Sequence, residues 1–237
     1  MIEMNLVEKQ YRGNRNVLFV PELTIRPGEV TAILGANGSG KTTLLKTIMG
    51  LGEANVQYGY ILVDGKPVQE QYEQLAFITE EGSFFPNMTA VQYGEFLNDF
   101  FPRFDRSRYE RLLQFFELDP HIRIKRMSTG QKAKLEICAG FSKGAKYMLM
   151  DEPFNGKDMF TRRDFLTLMI SSLKEDEAII LTTHIIDEIE NVIDRAIILH
   201  QGRIKADVMI DELREAGQSL PELMAEKAGY KPGKLQL

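Results

Sequence analysis

The sequence predicts an α/β chain: a mainly parallel sheet, an antiparallel β region at its N-terminal end and an inserted α-helical segment. Three observations predict it. A β-branched run, VTAIL, leads into the glycine-rich stretch GANGSGKT (residues 35–42) and then into the helix-like TLLKTIMG. Later, short apolar runs suited to buried strands, YMLMD, AIILTT and RAIILH, alternate with segments of helical character, the alternation that builds parallel sheets with ligands at their strand C-termini. Between these regions, residues 84–116 hold a large share of the chain's 14 Phe and 8 Tyr, and RSRYERLLQFFEL (106–118) repeats apolar residues at spacings of three and four, the period of a helix.

Taken in order, residues 1–34 read as strands, IEMNLVEKQY, NVLFVPELTI and EVTAIL, separated by turn signals at 12–16 and 26–28. After the glycine-rich stretch and its helix, YGYILVDGKPV is strand-like with Asp64-Gly65 as a hairpin turn. QLAFITEEGSFFPNMT passes from a strand into a loop, and the aromatic segment follows. MSTGQ is a turn opening the helix KAKLEICAGFSKG, which leads into YMLMDEP, a strand pattern ended by two carboxylates and a proline. TRRDFLTLMISSLKED is an amphipathic helix, AIILTTH a strand, IIDEIENVI a short helix, RAIILHQGRIKAD a hairpin turning at Gly202, and MIDELREAG a last helix. The expected organisation is one domain over 1–215 with a helical subdomain at about 84–140, followed by a tail, 216–237, in which only PELMAEKAG is helix-like.

Bulk properties narrow the function classes. At 237 residues the chain buries a core without staples, and 43% hydrophobic with 27% charged residues is an ordinary globular composition. A net charge of −5 opposes a broad nucleic-acid footprint, so no nucleic-acid partner is expected. The single cysteine, Cys138, forms no intramolecular disulfide, which points to a reducing compartment, and its apolar helical setting predicts a buried thiol. MIEMNLVEKQ does not resemble a signal peptide, and no apolar run reaches the roughly 18 residues that span a bilayer. Service at a membrane would therefore go through a partner.

The chemistry starts at GANGSGKT, which fits G-x-x-x-x-G-K-[ST]. Backbone N–H groups of such a loop, with the N-terminus of the next helix, cradle phosphates. The expected nucleotide-binding set is Gly35, Asn37, Gly38, Ser39, Gly40, Lys41, Thr42 and Thr43. Lys41 supplies a point charge between the β- and γ-phosphates of ATP, and Thr42 offers its hydroxyl to Mg²⁺. Downstream, an apolar strand carries Asp151 to where it would hold Mg²⁺ through water, and Glu152 beside it would polarise an attacking water. His184, ending AIILTTH, would hydrogen-bond the γ-phosphate and orient that water. MSTGQ is a second anion-binding helix start, which makes sense for one phosphate group if it serves another subunit. Taken singly, each feature has an ordinary alternative: adjacent acids in a solvated turn, a structural histidine at a strand end, and Tyr11 as a core-facing strand aromatic.

Together, the phosphate loop, the loop before FFPNMT, MSTGQ, the acid pair Asp151-Glu152, NGKD (155–158) and His184 resemble the ATP-binding-cassette (ABC) ATPase family, the nucleotide-binding subunits of ABC transporters. The resemblance runs to about residue 215. It implies a phosphate-loop NTPase fold and a head-to-tail dimer, homo- or heteromeric, that sandwiches two ATP between the phosphate loop of one subunit and the signature turn of the other. Carried over by position, it implies that Tyr11 stacks on adenine, that Ser128, Gly130 and Gln131 act in trans, and that Asp158 links the two sites. Two positions depart from the family pattern. Glu80 stands where a glutamine usually presents an oxygen to Mg²⁺, and Thr129 replaces the first glycine of the signature. Acidic loops ahead of FFPNMT look like those of cassettes serving ABC-2-type exporters. The short stretch between Lys41 and Gly130 leaves no room for the long coiled coils of chromosome-maintenance and repair relatives. The implied function is an ATPase that drives transport, in the export direction, through a separate transmembrane partner at the inner face of the cell membrane. A non-transport cassette, ribosome-associated or regulatory, is the alternative.

Overall fold

The computed structural model describes residues 1–9, 18–51, 59–79, 83–153, 159–184, 186 and 189–228. Ten strands form one mixed sheet: β1 (Ile2–Lys9), β2 (Leu18–Ile25), β3 (Val30–Leu34), β4 (Tyr60–Val63), β5 (Lys66–Pro67), β6 (Leu75–Ile78), β7 (Tyr147–Asp151), β8 (Ala178–Thr183), β9 (Arg195–His200) and β10 (Arg203–Met209), in the spatial order β5-β4-β1-β2-β10-β9-β3-β8-β7-β6. The run β9-β3-β8-β7-β6 is parallel throughout, whereas β5-β4-β1-β2 is antiparallel. The β9–β10 hairpin, turning through Gln201 and Gly202, joins the two halves by a parallel bridge between Arg203 and Phe19. The expected parallel sheet with an antiparallel N-terminal region is thus present.

The apolar runs follow from burial on both faces. β3 and β8 are buried at every residue, and β7 at all but its last. Because side chains alternate across a pleated strand, each strand feeds two cores. Ala32, Leu34, Met148, Met150, Ile179 and Leu181 face one of them, while Ile33, Leu149 and Ile180 face the other, with Leu44, Leu45 and Ile48 of helix α1 (Lys41–Ile48). Parallel strands covered on both sides read as continuous hydrophobic runs for this reason. β1, with one better-covered face, alternates instead.

The first core continues into the helical segment: α2 (Ala90–Phe100), α3 (Arg106–Phe115) and α4 (Thr129–Ser142). α2 and α4 each begin with a capping box, Thr89 with Gln92 and Ser128 with Gln131, and Asp105 caps α3. Part of the aromatic concentration is core, and Phe84, Phe96, Phe101 and Phe104 pack half-buried against it. Tyr93, Tyr109 and Phe116 are buried, but Phe85 and Phe100 are exposed and join the half-buried Phe96 in one ladder, ring centroids 5.0 and 4.5 Å apart. α5 (Met159–Ser172) and α6 (Ile210–Glu215) stand where helices are expected, but α5 ends four residues before the expected segment does and is not the amphipathic helix expected. The segment expected beyond residue 216 forms α7 (Leu220–Ala228), whose Leu220, Leu223 and Met224 are buried in the same core.

The segment expected as a helix at 185–193 is described only at 186 and 189–193; there residues 189–192 form turns, with Ile189 and Glu190 N–H both donating to the Ile186 carbonyl and Ile193 N–H to the Ile189 carbonyl. Ile186, Ile189 and Ile193 are buried, so the helical spacing records a buried side, but Asp194 then pins the chain to β3 by accepting the Val30 N–H at 2.8 Å. Cys138 is fully buried, as its setting predicted, and burial pushes its thiol pKa up. Among the described residues no helix is long and apolar enough to cross a membrane.

Candidate functional site

The C-terminal ends of β3, β8 and β7 lie side by side in the sheet, and the residues that follow them form the site. Gly35 closes β3 at a point where a side chain has no room: a Cβ there would sit 2.3 Å from the Leu199 carbonyl oxygen and 2.5 Å from Ser39 Oγ. The loop turns back through Ser39 N–H to the Ala36 carbonyl (3.0 Å), and the Gly202 N–H donates to the Ser39 carbonyl (2.8 Å), tying the β9–β10 turn to it. Gly40 caps α1 at φ 107°, in the left-handed region that glycine tolerates. No side chain caps α1, so its first-turn N–H groups, which have no intrahelical partners, are available to an anion. Asn37 and Gly38 are exposed, Thr43 is half-buried, and Ser39 is buried with its hydroxyl unpartnered in the loop.

Lys41 is 6% exposed, and its ammonium donates to the carbonyls of Gly35 (2.9 Å) and Ala36 (3.4 Å). It also lies 3.1 Å from Glu152 Oε1, an ion pair whose angles fall outside hydrogen-bond geometry. The other carboxylate oxygen, Oε2, is 3.0 Å from His184 Nδ1. Glu152 therefore bridges the ammonium and the imidazole. It does so from φ 45°, a conformation costing a non-glycine residue about 1–3 kcal/mol and concentrated at functional sites. Asp151 Oδ1 accepts from the Thr42 hydroxyl at 3.0 Å and from the Thr182 hydroxyl at 2.7 Å, and Thr182 Oγ1 accepts the Glu152 N–H at 2.9 Å. Of the expected residues, the structure thus brings Lys41, Thr42, Asp151, Glu152 and His184 together.

Thr42 and Asp151 place a hydroxyl and a carboxylate oxygen side by side, the hard donors that suit Mg²⁺, a cation that keeps most of its waters and takes one or two protein ligands. Among the described residues no cluster of three or more His, Cys, Asp or Glu could hold a metal by itself, so a nucleotide's phosphates would complete such a site. A buried ammonium, a carboxylate beside an imidazole, and an anion-binding helix start are together equipped for phosphoryl transfer to water.

The signature residues sit at a different helix start. Ser128 and Gly130 are exposed and Gln131 is half-buried at the beginning of α4. Here the side chains cap the helix themselves: Gln131 N–H donates to Ser128 Oγ (3.2 Å) and Ser128 N–H to Gln131 Oε1 (2.9 Å). Gly130 has open space where a Cβ would stand, with only Ser128 Oγ at 4.0 Å. Tyr11, Glu80 and Asp158 lie outside the described residues.

Sequence reasoning missed two features. Thr182 faces Asp151 across the β7–β8 register, a relation not visible along the chain. Glu136, on α4, is 2% exposed and accepts from the Ser83 N–H (3.1 Å) and hydroxyl (3.1 Å), with the Tyr93 hydroxyl 3.0 Å from Ser83 Oγ. Burial pushes the Glu136 carboxyl above the usual carboxylate range, and burial together with Glu136 lifts the Tyr93 phenol. The signal available was Glu136 standing between Leu135 and Ile137 in an apolar helix.

A family model described as ABC transporter matches residues 19–155. The ABC transporter ATP-binding protein YtrB of Bacillus subtilis is 32% identical over 219 residues, 91% of this chain and 74% of that protein. The aliphatic sulfonates import ATP-binding protein SsuB of Mycobacterium avium is 33% identical over 90% of this chain and 82% of its own length. A solved structure described as the ATP-binding subunit of an ABC transporter superposes with a TM-score of 0.84 at 30% identity, covering 95% of this chain and 98% of that one.

Proposed function

The chain belongs to the ABC transporter family as an ATP-binding, ATP-hydrolysing subunit, and from that premise we propose that it powers export through a separate membrane-spanning partner by ATP-dependent closure of a head-to-tail cassette dimer. The observation that carries the reading is the convergence of Lys41, Thr42, Asp151, Glu152 and His184 on the ends of three neighbouring strands, with a second, exposed helix start at Ser128.

In this reading the backbone N–H groups at 35–43 and the Lys41 ammonium bind the β- and γ-phosphates. Thr42 and Asp151 hold Mg²⁺, which when bound supplies positive charge against the transferring phosphoryl group. Glu152 polarises the attacking water, and His184 orients it and contacts the γ-phosphate. Ser128, Gly130 and Gln131 reach the nucleotide of the opposite subunit. Tyr11 stacking on adenine, Glu80 as a further oxygen toward the metal and Asp158 linking the two sites complete the proposal on the family resemblance alone.

Docking on the membrane partner falls to the aromatic ladder Phe85, Phe96 and Phe100, which follows Glu80 in the sequence, where a cytoplasmic helix of the partner would seat. Exposed aromatic clusters suit such a role. The export direction rests on the acidic loop before FFPNMT. A relative named for sulfonate import, at similar identity, makes direction the point to test.

Affinity purification from native membranes is the experiment. Co-purification of a membrane-spanning protein that stimulates ATP turnover supports the transport reading, and ATP-dependent sedimentation with ribosomes overturns it. In inverted vesicles carrying both proteins, ATP added outside drives cargo inward if the complex exports, and outward if it imports.

A further inference from the structure

Thr182 is buried at the penultimate position of β8, in direct register with Asp151 of β7. A central strand at this position is served equally by valine or isoleucine, and a buried hydroxyl costs free energy unless it is paired. Here its hydrogen-bonding capacity is directed at the acid pair. The hydroxyl donates to Asp151 Oδ1 at 2.7 Å and accepts the Glu152 N–H at 2.9 Å.

Each bond acts on a different acid. Asp151 Oδ1 is held between two hydroxyls, Thr182 from the sheet and Thr42 from α1, which leaves Oδ2 as the oxygen with no bond to either threonine. The second bond acts on the peptide joining Asp151 to Glu152. With Glu152 at φ 45°, the direction of that peptide decides where the Glu152 side chain leaves the backbone, and it leaves toward Lys41 and His184. A strained residue keeps its conformation only when neighbours over-determine it, and the Thr182 hydroxyl supplies one such constraint.

We propose that Thr182 is a positioning residue for ATP hydrolysis, its single hydroxyl orienting the Asp151 carboxylate toward the metal–phosphate side of the site and aiming Glu152 at the attacking water. This rests on the reading that Asp151 and Glu152 serve the nucleotide. Thr182 itself is fully buried and acts through the two acids.

The test compares Thr182→Val, which keeps shape and loses both bonds, with Thr182→Ser, which keeps the hydroxyl, in the full chain. kcat and KM for ATP are measured, the Mg²⁺ dependence of ATP binding is read by calorimetry in a Glu152→Gln background, and urea midpoints monitor folding. Thr182→Val is expected to lower kcat by about 10- to 100-fold, the usual effect of removing a partner that orients a metal ligand. At saturating Mg²⁺ the KM is expected to stay unchanged, while at limiting Mg²⁺ more of the metal is needed for tight ATP binding. Thr182→Ser restores both. If Thr182→Val does not fold, Thr182→Ala against Thr182→Ser gives the same contrast. Wild-type kcat with unchanged Mg²⁺ dependence in the valine variant overturns the inference. So does a serine variant as impaired as the valine one. If Glu152→Gln alone keeps full turnover, the parent reading of the acid pair has failed instead.

Discussion

At the residue scale, Glu152 holds together groups that pull in different directions. Its carboxylate contacts a buried ammonium and an imidazole, and its backbone is held in a left-handed conformation. Glu152→Gln keeps the shape and removes the basic oxygen. ATP binding by calorimetry is expected to be retained while hydrolysis slows about 10²- to 10⁴-fold, the range for loss of a general base. Undiminished turnover would take that role from Glu152. Lys41 differs because it is buried and its charge has no substitute in the loop: Lys41→Ala is expected to abolish tight ATP binding, and an unchanged calorimetric affinity would refute the assignment.

At the element scale, the site exists because parallel strands deliver their C-termini to one edge of the sheet. Strands β3, β8 and β7 are neighbours, so the phosphate loop, His184 and the acid pair arrive together although they are far apart in the chain. α4 adds a second link. Its N-terminus presents Ser128, and one side of it buries Glu136 against Ser83, which immediately follows residues 80–82. Glu136 is held above its ordinary carboxylate value of 4.5 chiefly by burial, which opposes the charged form, and Lys143, whose own pKa burial lowers, is the nearby charge. A carboxyl with a raised native pKa gives stability that is present below the unfolded value and lost as pH rises through the native one. Glu136→Gln removes that dependence. The urea midpoint of the variant relative to wild type is therefore expected to rise between pH 5 and pH 8, and a difference independent of pH would contradict the buried-carboxyl account.

At the scale of the whole molecule, the starts of α1 and α4 are built differently. α1 has no side-chain cap, whereas α4 is capped by its own Ser128 and Gln131 and lies open at Gly130. In the proposed head-to-tail dimer, the two starts of one domain would serve two different nucleotides. Ser128→Arg is expected to leave ATP binding to the isolated subunit unchanged while abolishing ATP-dependent dimerisation, read by light scattering in the Glu152→Gln background. Ser128→Ala controls for the lost cap, whose removal costs about 0.5–2 kcal/mol. Loss of ATP binding in the monomer would place Ser128 in its own subunit's site.

What the sequence by itself determined is what local geometry encodes. GANGSGKT specifies its loop through glycines that one turn and one close approach require, as Gly35 and Gly40 bear out. YMLMDE and AIILTTH announce buried strands ending in chemistry, because strands covered on both faces are mainly apolar until they emerge. Relations across the sheet were beyond it. Which strands are neighbours, that Thr182 faces Asp151 and that Glu136 turns inward to Ser83 were decided by the tertiary structure alone. Register and burial are set by pairing between segments distant in sequence, and no residue carries the identity of its cross-strand neighbour.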